Sequence, residues 1–229
     1  MRVLLKLSGE VLSGEGKKGY DSENTWRVAQ EVHDLVMDGN EVGVVIGAGN
    51  ILRGEELKEI NRIFADQMGM LATVMNSIYL KEMLEKKGVG AVVFSSITRL
   101  PSVEPLDYSR VEEVLRNGGV AIFAGGTSNP LFTTDTAAAL RAAEMGAKLI
   151  LKATKVDGVY DRDPKKWPDA KKFDILSFDE AIRMELNVMD IEAFSICKKA
   201  GIEIVVYNFF ERGSSLKAIR GKTGSRIVP

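Results

Sequence analysis

Short apolar bursts recur along the chain with helical patterns between them, and this alternation constrains the fold more than any other feature. The bursts are Val3–Leu7 (VLLKL), Val42–Ile46 (VGVVI), Ala91–Phe94 (AVVF), Val120–Ala124 (VAIFA), Leu149–Leu151 (LIL) and Ile202–Tyr207 (IEIVVY). Most are continuous rather than alternating, as strands covered on both faces are. In Asn24–Asp38 the apolar residues Val28, Val32, Leu35 and Val36 fall at helical spacing, and Gly39 follows as a stop signal. Thr134–Met145 before Gly146 and Asp190–Ala200 before Gly201 read as two further helices. Strands alternating with helices imply βαβ units, a parallel sheet and right-handed crossovers. The expectation is an α/β protein, a three-layer αβα sandwich with a mostly parallel central sheet. A chain of 229 residues permits one large domain or two small ones. No linker, repeat or low-complexity segment divides it, so a single domain over residues 1–229 is expected.

Asp66–Lys87 stands apart: DQMGMLATVMNSIYLKEMLEKK is apolar nearly all round until its charged end. A helix without a polar face is buried on several sides. Either it crosses the core or a second subunit covers it, and the subunit contact is the expectation. Leu12–Glu23 reads as a polar loop. Tyr160–Asp174 (YDRDPKKWPDAKKFD) reads as an irregular charged flap beside the sheet.

Charge and composition remove several function classes. Lys plus Arg total 31 against 32 for Asp plus Glu, a formal net charge of -1. Non-specific nucleic-acid binding needs a basic excess, so no nucleic-acid partner is expected. A nucleotide still fits, because it needs a local site rather than a global field. Cys197 is the sole cysteine, which rules out an internal disulfide and fits a reducing compartment. It sits in a helical pattern and reads as an inert buried thiol. No stretch approaches the ~20 apolar residues of a membrane span. The run MRVLLKLSG is too short for a signal peptide and Lys6 interrupts it, so a cytoplasmic protein is expected. His33, the sole histidine, lies on a surface-helix pattern and cannot by itself form a two-ligand metal site.

Three glycine-containing turns directly follow apolar strands: KLSGE (Lys6–Glu10), GAGNILRG (Gly47–Gly54) and GGTSNPLFTTD (Gly125–Asp135). In open α/β sheets that end carries the ligands. Glycine lets a backbone approach an anion closely and takes positive φ. Turn amides with a helix N-terminus behind them can hold phosphate oxygens. Lys6 is the sharpest residue, because it puts an ammonium near the end of a strand that should be buried, where an unpaired charge is costly. Either the strand is an edge and Lys6 reaches water, or the cation is held there to neutralise phosphate. Arg53 could offer a forked donor to another phosphate. GxxxxGK[ST] is absent, and Leu52 stands where GxGxxG needs its third glycine. Asp135, starting the helix after two threonines, either caps it or orients Lys6.

These residues resemble a known group. LLKLSGE, GVVIGAGNILRG, DQMGMLATVMN, GTSNPLFTTDTAA, LKATKVDGVYDRDP and ELNVMDIEAFSIC are together similar to the bacterial uridylate kinase branch of the amino acid kinase family, from Val3 to about Gly224. The resemblance implies that fold and transfer of the ATP γ-phosphoryl group to UMP, with Mg²⁺ carried by ATP and no protein-bound metal. It implies that Lys6, Leu7, Ser8, Gly9, Gly49 and Arg53 serve ATP's phosphates, and that Thr154, Tyr160 and Asp163 hold its adenosine end. It assigns UMP to Ala48, Asp66, Gly126, Thr127, Ser128, Asn129, Pro130, Leu131, Phe132 and Thr133, with Asp66 accepting from the ribose hydroxyls. The N-terminal part would bind UMP and the part from about residue 150 ATP. Lys6, Arg53 and Asp135 are the expected catalytic residues. Ala48 departs from the family's commoner GGGN. The family also implies a homohexamer activated by GTP and inhibited by UTP, with GEGKKGYD (Gly14–Asp21) where the GTP-responsive loop would lie.

Phosphoryl transfer needs positioning and charge neutralisation more than covalent chemistry. A phosphomonoester's second pKa is about 6, so UMP's own phosphate is a nucleophile at neutral pH without a general base. Direct in-line transfer without a covalent intermediate is therefore expected. The alternatives are another small-molecule kinase of the same fold and a non-catalytic nucleotide-binding protein.

Overall fold

The computed structural model describes residues 1–14, 18–52, 57–186 and 188–229. Each apolar burst forms a strand: β1 (Arg2–Leu7), β2 (Glu41–Ile46), β3 (Ala91–Ser95), β5 (Val120–Ala124), β6 (Leu149–Thr154) and β10 (Glu203–Asn208), with short β4 (Val103–Pro105), β9 (Ile175–Ser177) and β11 (Ser225–Val228) at the margins. Among the described residues these nine make one sheet, in the order β4-β3-β5-β2-β1-β6-β10-β11-β9. Every neighbouring pair is parallel except β10 and β11. β7 (Val159–Tyr160) and β8 (Lys172–Phe173) form a separate antiparallel pair at the base of the flap, which is thus not wholly irregular.

Helices cover both faces. On one side lie α1 (Ser22–Met37), α2 (Arg62–Lys86) and α7 (Ser214–Ile219), which share a core with Val3, Leu5 and Leu7 of β1. On the other lie α3 (Tyr108–Arg116), α4 (Thr134–Glu144), α5 (Phe178–Arg183) and α6 (Ile191–Ala200), packed with Leu4, Phe123 and Ile150. Successive strand residues point to opposite faces, so a continuous apolar strand feeds both cores. Leu4, Leu5 and Leu7 are wholly buried, and each such side chain contributes roughly 1.5–3 kcal/mol. The expected α/β sandwich is the observed architecture. No helix among the described residues is long and apolar enough to cross a membrane.

β1 lies in the middle of the sheet, between β2 and β6. Lys6 therefore does not sit on an edge strand, and the route to water that an edge would offer is closed. Strand order reverses at β1, and the crevice beyond the carboxyl ends of such strands is where doubly wound sheets place ligands.

α2 begins one turn earlier than its pattern indicates, because Asn61 caps it by accepting from the Ile63 N–H at 3.0 Å. Met70, Val74, Leu80 and Leu84 are buried, whereas Phe64, Met68, Leu71 and Met75 form an exposed apolar row. Cys197 is buried in the α6 core, and burial pushes its thiol up to about 12.

Candidate active site

The parallel register of β1 and β6 pairs Lys6 with Lys152. Leu4 and Ile150, two residues earlier on each strand, belong to the α4-side core, so period-two alternation turns both lysines to that side as well. α4 begins there, and its Asp135 carboxylate lies between them. Lys6 Nζ is ion-paired to Oδ1, and Lys152 Nζ donates to Oδ2 at 2.5 Å. Lys152 also donates to the Val188 carbonyl. Two cations thus flank one carboxylate at the strand ends, and Asp190 adds a second negative charge that acts on Lys152. Burial opposes ionisation of Asp135, but Lys6 and Lys152 outweigh it and hold the carboxyl below the usual carboxylate range. Burial, with the like charge of Lys6 beside it, depresses the Lys152 ammonium. The cap of α4 is Thr133, whose hydroxyl accepts from the Asp135 N–H at 3.0 Å. The Asp135 side chain does not cap; it holds the lysines.

The turns after β1 and β2 interlock. A Cβ on Gly9 would meet the Gly47 carbonyl at 2.4 Å and the Gly49 nitrogen at 2.8 Å, so only glycine allows this approach. Asn50 and Asn76 exchange side-chain hydrogen bonds at 2.7 and 3.1 Å, and Asn76 also donates to the Gly47 carbonyl at 2.7 Å. This buried bridge ties the Gly47–Asn50 turn to α2. Positive φ is absent from Gly47, Ala48 and Gly49; it occurs at Gly125, Gly126, Ser128 and Leu131. Alanine at 48 is thus accommodated without strain.

A cavity of about 350 Å³ opens on these turns, lined by Lys6, Ser8, Ala48, Gly49, Asp66, Gly126, Thr127, Phe132 and Thr133 among others. Asp66 faces it from α2. Its Oδ1 accepts from Arg62 Nε at 2.7 Å and its Oδ2 from the Leu131 N–H at 2.9 Å. A second cavity of about 590 Å³ is lined by Lys152, Thr154, Tyr160, Asp163 and the apolar side chains of Met184, Leu186, Val188 and Val206. Lys6 lines the first cavity and Lys152 the second, and Asp135 binds both. The two cavities meet at this cluster. Tyr160 Oη donates to Asp157 Oδ1 at 2.7 Å, and Asp163 accepts from the Lys165 N–H at 3.0 Å.

Most of the residues singled out from the sequence come together here. Leu7 does not line either cavity: its side chain is wholly buried in the core, and its carbonyl accepts from the Gly47 N–H. Gly9 serves as a contact point between turns. Ser128, Asn129, Pro130 and Leu131 belong to the turn but not to the cavity lining. Arg53 and, in the loop expected to respond to GTP, residues 15–17 lie outside the described residues. His33 is on α1, where its Nδ1 lies 3.1 Å from Asp34. Sequence reasoning missed Lys152, Arg62, Thr73 and Gly69. A lone glycine inside a helical run was a usable signal for Gly69, and a Cβ there would meet only open space.

The chain's relatives agree with this architecture. The family model described as "Amino acid kinase family" matches residues 1–208. Uridylate kinase of Thermotoga petrophila is 57% identical over 230 residues, covering 100% of both chains. Uridylate kinase of Wolinella succinogenes is 49% identical over 97% of this chain and 94% of its own length. The crystal structure of UMP kinase from Bacillus anthracis superposes with a TM-score of 0.96 at 35% identity, over 99% of this chain and 95% of that one. UMP kinase from Ureaplasma parvum gives 0.94 at 32% identity, over 100% and 98%.

Proposed function

The chain belongs to the amino acid kinase family, and from that premise we propose that it transfers the γ-phosphoryl group of ATP to UMP, giving ADP and UDP. The observation that carries this reading is the buried Lys6–Asp135–Lys152 cluster where the two cavities meet. A phosphoryl donor and a phosphoryl acceptor are both polyanions, and their repulsion is the main obstacle to reaction. Fixed cations at the meeting point of two nucleotide-sized cavities offset it.

In this reading the first cavity takes UMP. Asp66 accepts from the ribose hydroxyls, and the turn from Gly126 to Thr133 wraps the uracil and the phosphate. The second takes ATP, with Thr154, Tyr160 and Asp163 at the adenosine end and Met184, Leu186 and Val188 against the base. Ser8, Gly9, Ala48 and Gly49 offer main-chain N–H groups beside the transferred group, and Arg53 adds a forked donor. An oxygen of the UMP phosphate attacks Pγ while the bridging bond to the ADP oxygen breaks, so no proton need be removed above a pH of about 6. Asp135 keeps both ammonium groups aimed at the junction. Mg²⁺ arrives as part of MgATP and would spread the negative charge of the β- and γ-phosphates.

The reading extends to a cytoplasmic homo-oligomer, a hexamer by resemblance, supported by the exposed row Phe64, Met68, Leu71 and Met75 on α2. Activation by GTP and inhibition by UTP rest on the resemblance alone. A coupled ADP-release assay with UMP, CMP, carbamate and acetylglutamate tests the reading. Turnover is expected with UMP well above the others; no ADP release with UMP, or faster release with carbamate or acetylglutamate, overturns it.

A further inference from the structure

Arg141 is buried, 4% exposed, in the last turn of α4, and it lines neither cavity. A guanidinium is costly to bury unless its donors are satisfied, so its partners state its purpose. Nη1 donates to Glu144 Oε2 at 2.6 Å and to the Tyr108 hydroxyl at 3.1 Å. Nη2 leaves the helix layer and donates to the Gly126 carbonyl at 3.2 Å. The preceding residue is held from the opposite side, where the Gly125 N–H donates to Thr73 Oγ1 of α2 at 2.9 Å. Successive residues of the turn are thus clamped between α2 and α4.

The clamp acts on a turn that leaves regular backbone geometry. Gly125, Gly126 and Ser128 have φ of 85°, 61° and 72°. Gly125 and Gly126 take these values without strain, whereas Ser128, which carries a Cβ, keeps its value because surrounding groups over-determine it. The Gly126 carbonyl shares a planar trans peptide with the Thr127 N–H, so the two point in opposite directions. Fixing the carbonyl on Arg141 therefore aims the Thr127 N–H away from Arg141. That N–H has no hydrogen-bond partner among the described residues, and Thr127 lines the first cavity.

We infer that Arg141 is a positioning residue: it orients the Gly126–Thr127 peptide so that the Thr127 N–H is presented to the phosphoryl acceptor. This rests on the assignment of UMP to the first cavity. Steady-state kinetics of Arg141→Met, Arg141→Lys and Tyr108→Phe test it. Arg141→Met is expected to raise KM for UMP about tenfold, the size of one charge-assisted hydrogen bond, with KM for ATP within about twofold, below 0.5 kcal/mol by the same conversion. Arg141→Lys keeps a donor and should fall between. Tyr108→Phe keeps the guanidinium on Gly126 and should lower Tm without moving either KM. A Tm loss with both KM values unchanged in Arg141→Met, or a parallel rise in both, overturns the inference.

Should Arg141→Met fail to fold, Glu144→Gln loosens the same guanidinium more gently and should raise KM for UMP alone; unchanged KM values there count against the inference. If the wild-type protein does not phosphorylate UMP, the functional reading fails separately. The inference then stands or falls on hydrogen exchange of the free protein. Residues 124–131 should exchange faster in Arg141→Lys than in wild type while residues 2–7 do not, and equal exchange in the two proteins would overturn it.

Discussion

The two cavities differ in how the polar groups at their mouths are held. The first is braced by bonds between residues far apart in sequence: Asn50 with Asn76, Gly125 with Thr73, and Leu131 with Asp66, separations of 26, 52 and 65. The floor of the second is tied to the sheet by the Val159 N–H on Ser225 Oγ and the Thr154 hydroxyl on the Tyr207 carbonyl, separations of 66 and 53, but the polar side chains at its mouth pair locally. Tyr160 bonds Asp157 three residues away, Arg162 bonds Asp169 seven away, and Lys172 bonds Asp157 fifteen away. Long-range braces form only once the sheet is assembled, so the shape of the first cavity depends on the whole fold. Local pairs on a half-exposed hairpin can break singly. A pre-shaped acceptor site beside a donor site with an adaptable mouth is the consequence.

The junction between them should give the largest effect. Lys6→Ala is expected to lower kcat at least about a hundredfold, roughly 2.7 kcal/mol of lost transition-state stabilisation, with Tm and circular dichroism close to wild type. A loss below about tenfold would mean that charge neutralisation at the junction is not what drives turnover. Lys152→Ala tests the same point from the ATP side and should raise KM for ATP as well as lower kcat.

The pH profile separates enzyme from substrate. Asp135 stays ionised below its unfolded range because Lys6 and Lys152 hold it there against burial. A carboxylate with a depressed folded pKa adds stability above its unfolded pKa and loses it as pH falls through the folded one. Tm is therefore expected to show no Asp135 transition between pH 5 and 8, and to fall only in the acid range below the ordinary carboxylate value of 3.8. Activity should fall earlier, by about tenfold per unit below pH 6, as the UMP phosphate takes up its second proton. If Tm and kcat/KM for UMP fell together near pH 6, a titrating protein group would be responsible.

Asp66→Asn probes the acceptor side alone. It keeps the shape but removes the charge that Arg62 and the Leu131 amide now meet. KM for UMP should rise about tenfold, with KM for ATP little changed. Equal rises in both would break the division of the cavities between two substrates.

Much of this was legible because it depends on local pattern. Continuous apolar runs marked six strands of the sheet, and the anomaly of Lys6 inside VLLKL pointed to the strand end that matters. Lys152 was missed because its burst reads as Leu149–Leu151, while the strand runs on to Thr154. Nothing local says that Lys152 lies in register with Lys6; that follows from β6 pairing with β1 across 146 residues. Helix α3 was legible but unread: Asp107 caps it by accepting from the Ser109 and Arg110 N–H groups, Val111, Val114 and Leu115 are its buried face, and Gly118 follows. The strands β4, β9 and β11 and the helices α5 and α7 are too short for a period to declare itself. Arg141 carries no local signal, because its value lies in a carbonyl fifteen residues away. The adenosine-side residues came from resemblance, since a charged irregular flap carries no periodic signal.

The weakest expected effect is the sharpest check on the contrast between long-range and local bracing. Tyr160→Phe removes the hydroxyl that donates to Asp157, and that bond is the leading reason the Asp157 carboxyl lies below its usual range. Asp157 keeps Lys172 at 3.1 Å and is 47% exposed, so water replaces much of what is lost. A locally paired cavity mouth should therefore yield only slightly: KM for ATP up about twofold to threefold, within the 0.2–1 kcal/mol typical of exposed pairs, with kcat and KM for UMP unchanged. The hairpin backbone is already tied to β11 through Ser225. A tenfold rise in KM for ATP would show that the side chains at the mouth are as tightly coupled to the fold as the acceptor turn, and the two cavities would no longer differ there.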